Sequence, residues 1–105
     1  MNYKEIYSLF DGLIDSIDYM LENNFYKERD IIFQIKGKIL NWFEDFRVSK
    51  SLINITVEDI KFLDLEITDL FDKYIAVEDV LENYIERTSY NFGLLKKAWK
   101  DEKLK

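Results

Sequence analysis

Apolar residues recur every three or four positions near the start of the chain, which is the spacing that places them on one face of an α-helix. The pattern covers residues 2–22, where Asn2 is suited to cap the helix with Glu5 three positions later. Its apolar positions are Tyr3, Ile6, Tyr7, Phe10, Leu13, Ile14, Ile17 and Leu21. We therefore predict a first amphipathic helix over residues 2–22.

A second helix is predicted over residues 25–47, and it is apolar on two sides. Its core face comprises Ile31, Ile32, Ile35, Ile39, Trp42, Phe43 and Phe46. A second stripe, Tyr26, Phe33 and Leu40, falls more than about 100° from the centre of that face. Gly37 lies near this stripe and would let another backbone approach, although a mid-helix glycine costs about 1 kcal/mol relative to alanine. This pattern indicates either a central helix covered on both sides or a helix whose second stripe contacts a partner.

The segment over residues 48–55 has no helical polar face and is predicted to be a loop. The sequence TVEDI follows it, with Thr56 as a helix N-cap, Asp59 at the third helical position, and Ile55 placed to pack on Ile60. These residues predict the start of a third helix.

A related sequence, AVEDV, occurs at residues 76–80, but Ala76 is a poor N-cap. Apolar residues continue through it in steps of three and four, so we favour one continuous helix over residues 57–87 to a break near residues 74–76. A tail helix over residues 90–103 follows, with a hinge at Asn91 and Gly93. The predicted fold is a single all-α domain over residues 1–105, an antiparallel bundle of two helices of about 20 residues, a long third helix and a tail helix.

Composition supports a helical protein and excludes much chemistry. The 105 residues include no proline and three glycines, as expected of a nearly all-helical chain. Cysteine and histidine are absent, which removes disulfides, thiolate nucleophiles, imidazole bases and the usual zinc sites. An acidic row on the first helix, Asp11, Asp15, Asp18 and Glu22, faces away from the apolar face, so we interpret it as solvated rather than as a metal site. We expect no enzyme, no cofactor and no metal.

The net charge of −6 hides an uneven distribution. Residues 56–86 carry ten acids and two bases, whereas residues 25–50 carry a net charge of +2 and residues 87–105 one of +4. The outward acids of the third helix are expected to be either merely solvated or a field that attracts a basic partner. These predicted partner-binding acids are Glu58, Glu66, Asp69, Asp72, Asp79, Glu82 and Glu86.

Some apolar residues lie outside the predicted core and are candidate interface anchors. The set comprises Tyr19, Tyr26, Phe33, Leu40 and Leu65. For Tyr19 we favour an isolated exposed tyrosine. For Phe33 and Leu40 the sequence supports two interpretations equally, cover by the loop and the tail, or an interface.

These features favour a non-enzymatic, cytoplasmic protein that binds another protein with a basic surface, such as a toxin or bacteriocin immunity protein, an antitoxin or a phage-encoded inhibitor of a host defence nuclease, including an anti-CRISPR. The alternatives are a self-associating structural or regulatory subunit and, third, a nucleic-acid-binding protein, which the negative net charge disfavours. Isoleucine, lysine and asparagine, which have A/T-rich codons, are abundant, and this indicates a low-GC bacterium or its phage or plasmid. No apolar run in the sequence is long enough to span a membrane. The cations available for nucleic acid are Lys27, Arg29, Lys36, Lys38, Arg47, Lys96, Lys97, Lys100, Lys103 and Lys105.

Overall fold

A computed structural model of the chain contains four helices: α1 (Tyr3–Glu22), α2 (Arg29–Ser49), α3 (Val57–Tyr74) and α4 (Asp79–Lys103). It describes residues 1–23, 28–74 and 79–104, with the side chains at 74 and 79–83 outside that description. The described residues include no strand. The prediction of an all-α helical bundle is therefore confirmed.

Aromatic rings join α1 to α2 along an antiparallel contact. The ring of Tyr3 stacks on that of Phe46 with centroids 5.0 Å apart, and Phe10 stacks on Phe43 at 5.1 Å. Farther along α1, Asp18 forms an ion pair with Lys36. Because residue numbers rise along α1 as they fall along α2, the two helices run in opposite directions.

The most extensive helix pair is α1 with α4. Buried hydroxyls of Ser16 and Thr88 lie 2.7 Å apart. One helical turn before Ser16, a Cβ placed on Gly12 would lie 3.0 Å from the side-chain nitrogen of Asn91. These pairs again run in opposite directions, and the small residues on α1 let the two backbones approach closely.

Helix α3 completes the ring between α2 and α4. Asp59 pairs with Lys38 of α2 at 2.9 Å, and Asp64 pairs with Lys96 of α4 at 2.8 Å. The indole N–H of Trp99 in α4 donates to the carbonyl oxygen of Ile55, just before α3, at 2.9 Å. Each helix therefore lies between two antiparallel neighbours, as in an up-down-up-down bundle.

The core draws on all four helices and on the loop between α2 and α3. Apolar side chains that are at most 2% exposed include Phe10, Leu13, Ile17, Met20, Ile32, Ile35, Ile39, Phe46, Leu52, Leu63, Ile85, Phe92 and Leu95. All the described members of the predicted core faces of α1 and α2 lie in this core or against it, apart from the more exposed Tyr3 and Tyr7. The apolar spacing of these two helices thus located the core correctly.

The prediction of one continuous helix over residues 57–87 is wrong, because α3 ends at Tyr74 and α4 begins at Asp79. In a continuous helix Ile67 and Ile85 would lie about 27 Å apart at 1.5 Å per residue, yet both side chains line the same pocket in the core. The chain therefore reverses between them, although Ala76 itself, where the sequence locates the alternative break, lies outside the described residues. Periodicity missed the reversal because both helices bury their apolar faces in the same core.

The hinge predicted at Asn91 and Gly93 is also wrong. Helix α4 continues through both residues, so the tail over residues 90–103 belongs to a longer helix. Nothing lies within 4 Å of a Cβ placed on Gly93, which therefore occupies an ordinary helical position facing open space. The bundle needs no hinge at this point, since the reversal after α3 already brings α4 back along the core.

Both predicted caps are present. The Asn2 side chain accepts a hydrogen bond from the Glu5 N–H at 2.9 Å, and the Thr56 hydroxyl accepts one from the Asp59 N–H at 3.1 Å.

Helix α2 ends two residues later than predicted, at Ser49, and is followed by Lys50 in the left-handed conformation with a φ of 61°. The start predicted at residue 25 lies outside the described residues, and α2 begins at Arg29.

Candidate interaction surface

Two acids of α3 form ion pairs with lysines of the neighbouring helices. Asp59 and Asp64 point sideways toward α2 and α4, where Lys38 and Lys96 neutralise them. The hydrogen bond from Lys38 lowers the pKa of Asp59 below its ordinary value, and the indole N–H of Trp42 also lowers it, while burial opposes both. Neither acid belongs to the predicted partner-binding set, so packing between the helices uses a different group of carboxylates.

The predicted acids of α3 lie farther out. Glu58, Asp69 and Asp72 are exposed and Glu66 is half-buried. Asp69 pairs with Lys73 of its own helix at 3.2 Å, with both side chains more than half exposed. Within the described part of the chain, the other three carboxylates have no ion-pair partner. Packing of the bundle therefore leaves these charges available to another molecule.

Leu65 lies on the same outer side of α3 as these acids. Its side chain is 70% exposed. On an α-helix the residues four and seven positions later, Asp69 and Asp72, and the residue seven positions earlier, Glu58, share its side. We call Glu58, Leu65, Asp69 and Asp72 the α3 outer face. It combines negative charge with one exposed apolar group.

The remaining predicted acids lie on α4. Glu86 is exposed and lines an open groove together with Phe71, Arg87, Ser89 and Tyr90. Side chains of Asp79 and Glu82 lie outside the described residues. Tyr90 is 68% exposed and was not among the predicted interface residues. Its position on the side of α4 opposite the buried Phe92, Leu95 and Trp99 was the available signal.

Tyr19 is not the isolated exposed tyrosine that the sequence predicts. Its half-buried ring stacks on the ring of Tyr84 in α4, with centroids 3.6 Å apart and an angle of 11° between the planes. The acidic residues around it on α1 suggested exposure, but α4 packs against this side of the helix. Tyr26, another predicted anchor, lies outside the described residues.

Phe33 and Leu40 remain exposed, at 47% and 39% respectively. The interpretation that the loop and the tail cover them is wrong. The loop instead inserts Leu52 and Ile55 into the core, and α4 packs against α1 and α3. No atom lies within 4 Å of a Cβ placed on Gly37, so this glycine serves no close approach between the described residues.

Several candidate cations for nucleic acid are already paired with acids. Lys36, Lys38 and Lys96 each form an ion pair with another helix, and Arg47 pairs with Glu44 at 3.3 Å. The ammonium group of Lys103 lies over the ring of Trp99 at 4.5 Å. Lys27 and Lys105 lie outside the described residues. The basic residues therefore do not form one unpaired surface in the described structure.

The acidic row of α1 does not converge on a cation site. Asp11, Asp15 and Glu22 are exposed, and Asp18 pairs with Lys36 at 2.5 Å. Across the described ranges no three carboxylates are grouped so that they would hold a metal ion. This row is available only as surface charge.

Comparison with protein-family models, with curated proteins and with solved structures found no match. Among the helices that the structure describes, none has the length and apolar content needed to cross a membrane. Any functional interpretation of this chain therefore rests on its own residues and their arrangement.

Proposed function

We propose that the protein is a non-enzymatic binding module whose partner is another protein with a basic surface, and that the α3 outer face binds it. The observation that supports this proposal most directly is the division of acids on α3. Carboxylates that pack against neighbouring helices have lysine partners, whereas Glu58, Glu66 and Asp72 have none among the described residues.

Unpaired carboxylates on one helix act over a distance, because their fields add and attract a positively charged surface before contact. Such attraction mainly raises the association rate and selects partners by charge. Exposed Leu65 adds a group that loses its water on contact, and a desolvated anchor surrounded by polar residues is the usual arrangement at the centre of a protein interface. The surface thus combines steering with one anchor.

A basic protein surface of this kind is typical of enzymes that bind nucleic acids. We propose that the partner belongs to this class and that binding inhibits or neutralises it, as an immunity protein, an antitoxin or an inhibitor of a defence nuclease does. The α3 outer face would then occupy the surface that otherwise holds phosphates.

The test compares two double variants with the same net charge. In Glu58→Lys with Asp72→Lys, two unpaired acids of the α3 outer face change sign, while Asp11→Lys with Asp15→Lys makes the same change on α1. Proteins captured from the native host by the wild type are compared with those captured by each variant. We expect the α3 variant to lose the basic partner and the α1 variant to retain it.

Salt and the anchor provide further readouts on the captured complex. Raising NaCl from 50 to 500 mM should weaken binding at least tenfold, because screening shortens the range of the field. Leu65→Ser should weaken it with little change in salt dependence. Equal capture by the wild type and the α3 variant, or an affinity that does not respond to salt, would refute the proposal.

A further inference from the structure

The outward side of α2 is another surface on which the bundle leaves large apolar groups uncovered. Phe33 and Leu40 lie there with Gly37 between them, while the buried apolar residues of this helix face the core. A glycine inside a helix destabilises that helix relative to alanine. Among the described residues, no neighbouring element packs against the space where the Gly37 side chain would be. That space would accommodate a second helix at short distance.

The arrangement of residues on this side of α2 is symmetric about the midpoint between positions 36 and 37. Phe33 and Leu40 lie at equal distances from that point, and so do Arg29 and Glu44. In an antiparallel contact between two copies of the helix, each Phe33 would meet Leu40 of the second copy. Each Arg29 would likewise meet Glu44 of the second copy, so the contact pairs unlike charges twice.

Charge also favours α2 over α1 and α3 as a contact between copies. The chain has a net charge of −6, and α1 and α3 each carry four more acids than bases. By contrast, α2 has four bases and three acids. Lys36, the cation nearest the midpoint, is neutralised by Asp18. Two copies can therefore meet at α2 without the repulsion that their overall charge would cause elsewhere.

We propose that two copies of this chain associate through the outward sides of their α2 helices, in an antiparallel contact centred between Lys36 and Gly37. The interface is isologous, since the same surface serves both copies. It is distinct from the α3 outer face, so a dimer would present two acidic faces. A contact limited to one helix per copy lies at the small end of protein interfaces, and we expect a dissociation constant in the micromolar range or weaker, on the order of 10 µM or above.

Sedimentation equilibrium of the full chain between about 5 and 500 µM tests this. The wild-type mass should rise from 12.7 kDa toward twice that value as concentration increases. Phe33→Ser with Leu40→Ser should remain monomeric throughout, with an unchanged helical circular dichroism spectrum because both side chains are exposed. Leu65→Ser is the matched control and should dimerise like the wild type.

Charge reversal tests the antiparallel register. R29E alone and E44R alone should each weaken association at least tenfold, because each creates two like-charge contacts. An equimolar mixture of these two variants should recover it, since every contact across the heterodimer again joins unlike charges. A mixture of R29E with D11K has the same net charge but keeps one like-charge contact, and should recover less.

Three results would overturn the proposal: a wild-type monomer at every concentration, a dimer that F33S/L40S leaves intact, or a mixture of R29E and E44R that stays as monomeric as either variant alone. The α3 variant E58K/D72K should still dimerise, because its substitutions lie outside the α2 contact. Dimerisation and the proposed binding of a basic partner are therefore tested independently. Arg29 also donates to the Leu21 carbonyl oxygen at 3.2 Å, so the mixture is compared with R29E alone rather than with the wild type only.

Discussion

The buried hydroxyl pair between α1 and α4 offers a direct test of how the chain reverses. Three contacts compete for two protons: Ser16 Oγ lies 2.7 Å from Thr88 Oγ1 and 3.1 Å from the Leu13 carbonyl oxygen, and Thr88 Oγ1 lies 2.8 Å from the Tyr84 carbonyl oxygen. The two shorter contacts have Thr88 donating to Tyr84 and Ser16 donating to Thr88. Each hydroxyl therefore has a carbonyl acceptor in the preceding turn of its own helix, Leu13 for Ser16 and Tyr84 for Thr88.

Ser16→Ala and Thr88→Val each remove the same hydrogen bond. Either variant should cost about 1 kcal/mol, the usual net value of one hydrogen bond, because the remaining hydroxyl can still donate to a carbonyl and is not left unsatisfied. The double variant should also cost about 1 kcal/mol rather than about 2, which corresponds to a coupling energy of about 1 kcal/mol. Valine keeps the shape of threonine, so little packing is lost at Thr88.

Urea unfolding of the four proteins, followed by circular dichroism at 222 nm, measures this coupling. A cost of 1 kcal/mol shifts the midpoint by about 0.5–1 M when m is about 1–2 kcal/mol/M. If α4 continued α3 away from α1, the two side chains would never meet and their effects would simply add. Additive costs, with a coupling below about 0.3 kcal/mol, would refute the antiparallel contact between Ser16 and Thr88.

Four other variants test local features of the bundle. Gly93→Ala should stabilise the protein by up to about 1 kcal/mol in thermal melts. Gly12→Ala should stabilise it less, because its Cβ would press on the Asn91 side chain of α4. Equal stabilisation by the two variants would contradict that close contact. Glu102→Gln should lower the free energy of unfolding in urea by about 1 kcal/mol. The reason is that the Glu102 carboxylate accepts hydrogen bonds from a hydroxyl and a backbone N–H of the loop between α2 and α3. An unchanged urea midpoint would show that the loop is not anchored there. The pKa of Asp59 is lowered chiefly by the hydrogen bond from Lys38, so its stabilising effect is present above about pH 4 and is lost as the pH falls through the lowered pKa. Melting temperatures from pH 7 to pH 2 should therefore show the advantage of wild type over Asp59→Asn disappearing in acid, whereas a constant difference would contradict this role.

Features that depend on neighbouring residues were predictable from the sequence. Asn2 and Thr56 cap their helices as expected, because a cap needs only a side-chain oxygen within reach of a backbone N–H three residues later. The core faces of α1 and α2 followed from helical spacing for the same reason. Exposure of Phe33 and Leu40 was one of two alternatives, and choosing between them required the positions of the loop and α4.

The sites where prediction failed depend on contacts between distant residues. Tyr19 has acidic neighbours on its own helix, and only the approach of α4 places Tyr84 over its ring. The ion-pair partners of Asp64 and Asp69 also differ in a way that the sequence does not indicate. The difference arises because Lys96 of α4 lies beside the first, whereas the second faces outward.

The amino-acid sequence by itself determined the helical class, the caps and the division of α1 and α2 into core and polar sides, because these follow from spacing within a few turns. Tertiary structure decided that residues 57–87 do not form one helix, since a continuous apolar stripe is equally compatible with a straight rod and with two helices folded onto one core. The same reversal brings Lys96 beside Asp64 and so decides that this acid of α3 is neutralised. The proposed binding surface is therefore a product of packing, although each of its residues was visible in the sequence.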